Sequence, residues 1–385
     1  MDKLNILGLK PNESYQLDTN LENNDKKSNH TEDRSSAAEF ASFIRDQSKT
    51  NIHLNLFSKS HNLKQKADYK FVNDFDFKKL SKDEISVILA RCFLKSNNHV
   101  IAINKPHGIS VQGGDNGASI EEVLELLAAK LSLKERLHIV HRLDKDTTGV
   151  LLLAQNPDSA FLLKDAFKER HIRKNYLCLT HGIPHEEHGI INFNLKEATL
   201  GDQIVIRPDM KSVKKNIKKA GFTKSEPGKI STAFNVLCSN YNISLVQCAM
   251  ISGVKHQIRA HLAYGLETPI LGDHKYSWLI KENKFPIMPQ QLSPVALTGL
   301  KLTQGKIRHL PIHLHAYQLI IGEPRLPSSL YDGKANLNWN STNNKPCRLP
   351  DFQVYANVPD FFFRSLRSLK LNDSKIFKFA LKQIL

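Results

Sequence analysis

The chain has 385 residues, of which 41% are hydrophobic, and a formal net charge of +16. That length suits one large domain with extensions, or two domains, and no stretch approaches the ~20 apolar residues that cross a bilayer, so a helical membrane protein is excluded. The charge points to a polyanionic partner, most simply nucleic acid; an anionic membrane surface is the rival, but no basic amphipathic helix is strong enough to favour it.

Residues 1–75 are rich in Asn, Ser, Asp and Lys, and their basic and acidic residues balance. The whole excess of positive charge therefore belongs to the rest of the chain. Residues 1–80 are expected to be an extension, largely disordered, with a short helix possible near 37–47. Ser81 and Glu84 have the spacing of a capping box and predict a helix to about Leu94. His99–Asn104 reads as a strand stopped by Pro106 and Gly108. Ser119–Leu131 has helical apolar spacing. Two aliphatic strands, Leu137–Val140 and Val150–Ala154, flank a tight polar turn. A helix over 158–170, a strand over 175–180 and strand segments at 236–238 and 244–249 follow. Such irregular alternation predicts an α+β domain on a mixed or antiparallel sheet, spanning 81–326. Beyond it, 327–385 is expected to be a tail with Phe361-Phe362-Phe363 and a basic amphipathic segment, for docking or for contacting RNA.

The five cysteines are scattered, with no Cys-x-x-Cys pair, and read as free thiols. His309, His313 and His315, or His185 with His188, invite a metal reading, but no Cys or carboxylate completes a ligand spacing. Seven lysines between Lys211 and Lys229 are as consistent with an RNA-phosphate contact as with a solvated loop.

The turn His141-Arg142-Leu143-Asp144-Lys145-Asp146-Thr147-Thr148-Gly149 is the densest chemistry in the chain. Charged groups between buried strands are costly unless they pair or react. An Asp in a Gly-containing turn is most often only a turn former, and spacing alone does not choose Asp144 over Asp146.

This run resembles the signature of the RluA-type pseudouridine synthases. Further pieces follow in family order over residues 98–325: Asn104-Lys105-Pro106 with Gly108, Lys174-Asn175-Tyr176-Leu177, His256-Gln257-Ile258-Arg259, Pro269-Ile270-Leu271-Gly272-Asp273 and Leu314-His315-Ala316. The resemblance implies a pseudouridine synthase fold, with a mostly antiparallel mixed sheet, flanking helices and a cleft across the sheet. It implies isomerisation of uridine to pseudouridine in structured RNA (rRNA, tRNA or mRNA) with no cofactor and no metal, by a protein acting as a monomer. Asp144 would be the nucleophile, Arg259 its ion-pair partner and Tyr176 the residue against the base. Arg142 would fill the space of the flipped base, with Lys105, Lys255, His256 and Gln257 among the RNA contacts. One departure is Ser252-Gly253-Val254-Lys255, where the common form is Thr-Gly-Arg-Thr. It resembles the animal mitochondrial branch called RNA pseudouridylate synthase domain-containing proteins. Mitochondria are therefore the expected location, although the first thirty residues hold several acids and no Arg; cytoplasm or nucleus is the alternative. A non-catalytic RNA-binding or ribosome-assembly factor on the same fold, and a metal-dependent phosphodiesterase, are the rival functions.

Overall fold

The run Val100–Ile103 is apolar at every position, as expected for a strand covered on both faces. In the computed structural model, which describes residues 76–113, 117–200, 203–209, 230–250, 253–279, 288–322 and 347–372, that run lies in β2 (Val100–Lys105). It sits between β1 (Phe93–Ser96) and β4 (Thr148–Ala154), antiparallel to both. All seven residues of β4 are buried. Val150, Leu152 and Ala154 join a core with Val100, Ala102 and Leu319, and with Leu163 of helix α3 (Pro157–Lys168). Asn156 caps α3 through its side chain, and Pro157 opens it.

The sheet continues through β11 (Leu314–Ile321), β5 (Ile172–His181), β10 (Ile243–Met250), β9 (Ser231–Asn240) and β6 (His188–Asn192). The β4–β11 pairing is parallel, and the other pairings on this path are antiparallel. Gly149 permits the parallel contact: its φ is +112°, and a Cβ there would lie 2.2 Å from the Ala316 carbonyl oxygen. A separate hairpin, β7 (Leu195–Leu200) with β8 (Gln203–Pro208), stands off the main sheet.

Three expectations change. The first signature strand is only β3 (His138–Ile139), and residues 140–147 form an irregular connection that ends in the expected tight turn, closed by the Thr147 N–H on the Asp144 carbonyl. β3 pairs with the end of β4 at Leu153–Ala154, whereas β11 pairs with its start at Thr148–Gly149. The edge between them is bridged by a side chain: His141 Nε2 accepts the Leu152 N–H at 2.8 Å. The helix after Ser119 opens as a 3-10 turn, Glu121–Val123, before α2 (Leu124–Lys130). The region expected as a tail contributes to the core. β12 (Phe352–Tyr355) pairs with β11, and α7 (Asp360–Ser368) buries Phe361, Phe362 and Leu366 against Leu179, Leu245 and Leu300. The apolar stripe of the tail thus docks on its own sheet. The predicted cap is present: α1 (Lys82–Arg91) has reciprocal Ser81–Glu84 bonds. The remaining helices are α4 (Gln257–Gly265), α5 (His274–Leu279) and α6 (Pro294–Leu300). The possible helix near 37–47, the lysines between 211 and 229, Ser252 and residues 373–385 lie outside the described residues.

Candidate active site

The irregular 140–147 connection forms one wall of a cleft of about 480 Å³. Its lining includes Arg142, Asp144, Lys168, Arg170, Lys174, Tyr176, Lys255, His256 and Arg259. Six of those side chains are cations, and Asp144 is the one carboxylate among them. Such a cleft attracts a polyanion.

Asp144 is half-buried. Its carboxylate has no hydrogen bond or ion pair among the described residues, although its backbone carbonyl accepts the Thr147 N–H. Burial pushes its pKa above the usual carboxylate value, and Arg259, Arg142 and Lys105 oppose that push. Tyr176 is buried on β5 and faces the same cleft. Burial, and secondarily the charge of Asp144, drive its pKa upward, so it remains a neutral phenol. Arg142 is exposed on the cleft wall. Lys255 is exposed too, within 3.9 Å of Glu197.

Arg259 does not hydrogen-bond Asp144. Its Nε and Nη2 donate to the two oxygens of Asp273 at 2.8 and 3.0 Å. The Asp273 side chain is 0% exposed and also accepts the Tyr276 N–H at 3.1 Å. The resemblance implies Asp144 as the partner of Arg259; the hydrogen bonds of the guanidinium go instead to a second carboxylate, Asp273. The planar fork satisfies the fully buried one and acts on Asp144 through space. Burial alone would lower the Arg259 pKa, and the Asp273 contact more than reverses this.

Two expected RNA contacts are committed elsewhere. Lys105 is fully buried, and its ammonium donates to the carbonyls of Pro106, Lys145 and Thr147, each at 2.9 Å. It pins the Asp144 connection from beneath, with burial lowering its pKa to about 7. Gln257 is buried, donating to Ser231 O and Thr232 Oγ1 and accepting the Val254 N–H. Two histidines of the metal reading serve structure: His313 bonds Pro311 O and Ser365 Oγ, and His315 bonds Thr148 Oγ1 and Ala356 O. No cluster with metal-ligand geometry occurs among the described residues.

Sequence reasoning assigned no role to Asp273, Tyr276, Lys168, Arg170 or Lys174. The first sits in a quoted motif, Pro269–Asp273, where a carboxylate ending an apolar run was the available signal. Lys168 and Arg170 end a helix whose direction into the cleft is a tertiary fact.

A carboxylate that takes no hydrogen bond among the described residues, on the wall of a cationic cleft, suits an enzyme for a polyanionic substrate. Residues 99–264 match the family described as RNA pseudouridylate synthase. "Pseudouridylate synthase RPUSD4, mitochondrial" of Rattus norvegicus is 35% identical over 293 residues, covering 74% of this chain and 70% of that protein. "Ribosomal large subunit pseudouridine synthase C" of Rickettsia bellii is 33% identical over 192 residues, covering 49% of this chain and 58% of that protein. The solved structure of "Human RNA Pseudouridylate Synthase Domain Containing 4" superposes with a TM-score of 0.55 at 30% identity, covering 75% of this chain and 97% of that one. The chain belongs to the RNA pseudouridylate synthase family and is an RNA pseudouridine synthase.

Proposed function

We propose that the chain isomerises a flipped-out uridine of structured RNA with Asp144 as nucleophile. The carrying observation is the Asp144 carboxylate, which takes no hydrogen bond among the described residues in a cleft where every other charged lining side chain is a cation. The reaction breaks the C1′–N1 bond, turns the uracil and joins C1′ to C5. It is redox-neutral and adds no group: the proton lost from C5 is balanced by the one gained at N1, and a carboxylate that can attack C1′ and leave carries the sugar between the two. The base must leave its stack to reach such a pocket. Arg142, exposed at the cleft, occupies the vacated space, and Tyr176 lies against the uracil. Burial keeps Tyr176 a phenol in the unliganded cleft, able to pack against the base and to exchange a proton with it. Lys168, Arg170, Lys174 and Lys255 bind phosphates, the term that dominates nucleic-acid affinity.

The relatives named as mitochondrial support placement in mitochondria. Mapping pseudouridines in RNA from cells with and without the protein tests the function and identifies the target transcript. Loss of specific sites on its removal, restored by the wild type and not by Asp144→Asn, is expected. Restoration by Asp144→Asn would refute the nucleophile, and would favour the assembly-factor reading. A fluorescent fusion outside mitochondria would refute the location.

A further inference from the structure

Tyr276, on α5, is the largest fully buried side chain of the structure and has no place in the chemistry described so far. Its hydroxyl sits between two groups. The Ile206 N–H on β8 donates to it at 3.1 Å, and His256 Nδ1 lies 2.8 Å away. His256 itself stands just before α4 in a left-handed conformation, φ 53°, and its ring lines the cleft. Nε2 has no protein partner among the described residues.

These contacts determine where the protons lie. The phenol already accepts from Ile206. If His256 Nδ1 also carried a hydrogen and donated it, the phenol hydrogen would be left buried with no acceptor among the described residues, an arrangement proteins avoid. The phenol therefore donates to Nδ1, and the imidazole proton resides on Nε2. The charges around the ring agree. Burial first, then Arg259, Lys275, Lys255 and Arg142, hold the His256 pKa down at about 2, so the ring stays neutral. Tyr276 is held in turn, since its N–H bonds Asp273 and the Arg259 guanidinium lies 5.0 Å above its ring.

We propose that Tyr276 is a positioning residue that fixes His256 as a neutral Nε2–H donor to a uracil carbonyl oxygen of the bound uridine. This rests on the reading of the cleft as a uridine site. Cations already line the cleft for phosphates, and a neutral, directional donor suits an uncharged acceptor. When the C1′–N1 bond breaks, its electron pair moves onto the uracil and spreads to the carbonyl oxygens. A fixed donor stabilises that charge without giving up its proton. The same pair then forms the C5–C1′ bond, and the donor ends unchanged.

The test uses the full chain and the transcript found by mapping. Histidine-selective 15N NMR should show His256 as a single Nε2–H tautomer in the wild type and as a tautomer mixture in Tyr276→Phe. Tyr276→Phe should lower kcat about tenfold with KM and the salt dependence of RNA binding unchanged. His256→Ala should cost about a hundredfold in kcat, and His256→Gln, which keeps a neutral N–H, should recover part of it. The histidine variants leave Tyr276 in place, so they decide the matter should Tyr276→Phe fail to fold. A single tautomer and normal kcat in Tyr276→Phe would overturn the proposal. So would a flatter salt dependence in His256→Ala, which would make the contact a phosphate one. Active wild type with inactive Asp144→Asn, measured alongside, confines such a failure to His256 and Tyr276. If the wild type forms no pseudouridine, the uridine-site reading falls and this proposal with it.

Discussion

Two aspartates near Arg259 meet opposite fates. Asp273 is fully buried and saturated: both oxygens take guanidinium bonds, and one also takes a backbone N–H. Asp144 is half-buried, faces the cleft, and holds no such bond among the described residues. Burial raises the Asp144 pKa, so its charged form is disfavoured by the fold and kept by neighbouring cations at a distance. The proposed nucleophile is the carboxylate whose lone pairs take no hydrogen bond among the described residues. The saturated one holds the cation in place.

Five variants and a titration bear on that contrast. Asp144→Asn keeps size and removes nucleophilicity; tritium release from RNA labelled at uracil C5 should fall by about a thousandfold or more. Full release would return Asp144 to the role of a turn former. Asp273→Asn should leave a buried guanidinium without its counter-charge, costing about 3–5 kcal/mol of stability by urea unfolding; Arg259→Leu should cost a similar amount by orphaning Asp273. A loss under 1 kcal/mol in both would mean that the pair is not the structural centre of this wall.

Acidification should loosen the fold in a defined window. His313 and His315 are buried, and desolvation lowers their pKa values to about 4 from the ordinary 6.5. Below 6.5 the unfolded chain therefore binds more protons than the folded one, and stability falls as pH drops from about 6.5 to about 4. Lys105 has the same sign at the other end. Its pKa of about 7 lies below the ordinary 10.5, so its contribution grows as pH rises through that interval. Melting temperature against pH for the wild type and Lys105→Met reads this directly; a curve of identical slope above pH 7 would contradict the lowered Lys105 pKa. The smallest effect concerns RNA. Replacing Lys168 and Arg170 together by Gln should reduce the log–log salt slope by roughly 1.4, at ~0.7 per phosphate on single strands, with saturated turnover nearly intact.

Much of this arrangement was legible in the chain. Ser81 and Glu84 announce α1, aliphatic runs announce β2 and β4, and the His141–Gly149 run marks the cleft. His141 and Gly149, however, serve the backbone: one accepts the Leu152 N–H, the other lets β11 approach β4. What stayed hidden depended on tertiary neighbours. A lysine such as Lys105 normally belongs in solvent, and only the fold reveals three carbonyls converging on its ammonium. Arg259 could be seen to need a carboxylate, but which one was a matter of packing. The triplet Phe361–Phe363 reads equally well as a docking stripe or a binding face until β12 carries it onto the sheet.

Equilibrium unfolding and tritium release measured together on Asp144→Asn at pH 7 test the role of Asp144 most directly. Because the fold disfavours the ionised Asp144, the variant should be inert and yet at least as stable as the wild type. Retained turnover, or a stability loss matching that of Asp273→Asn, would show that Asp144 is a structural carboxylate after all.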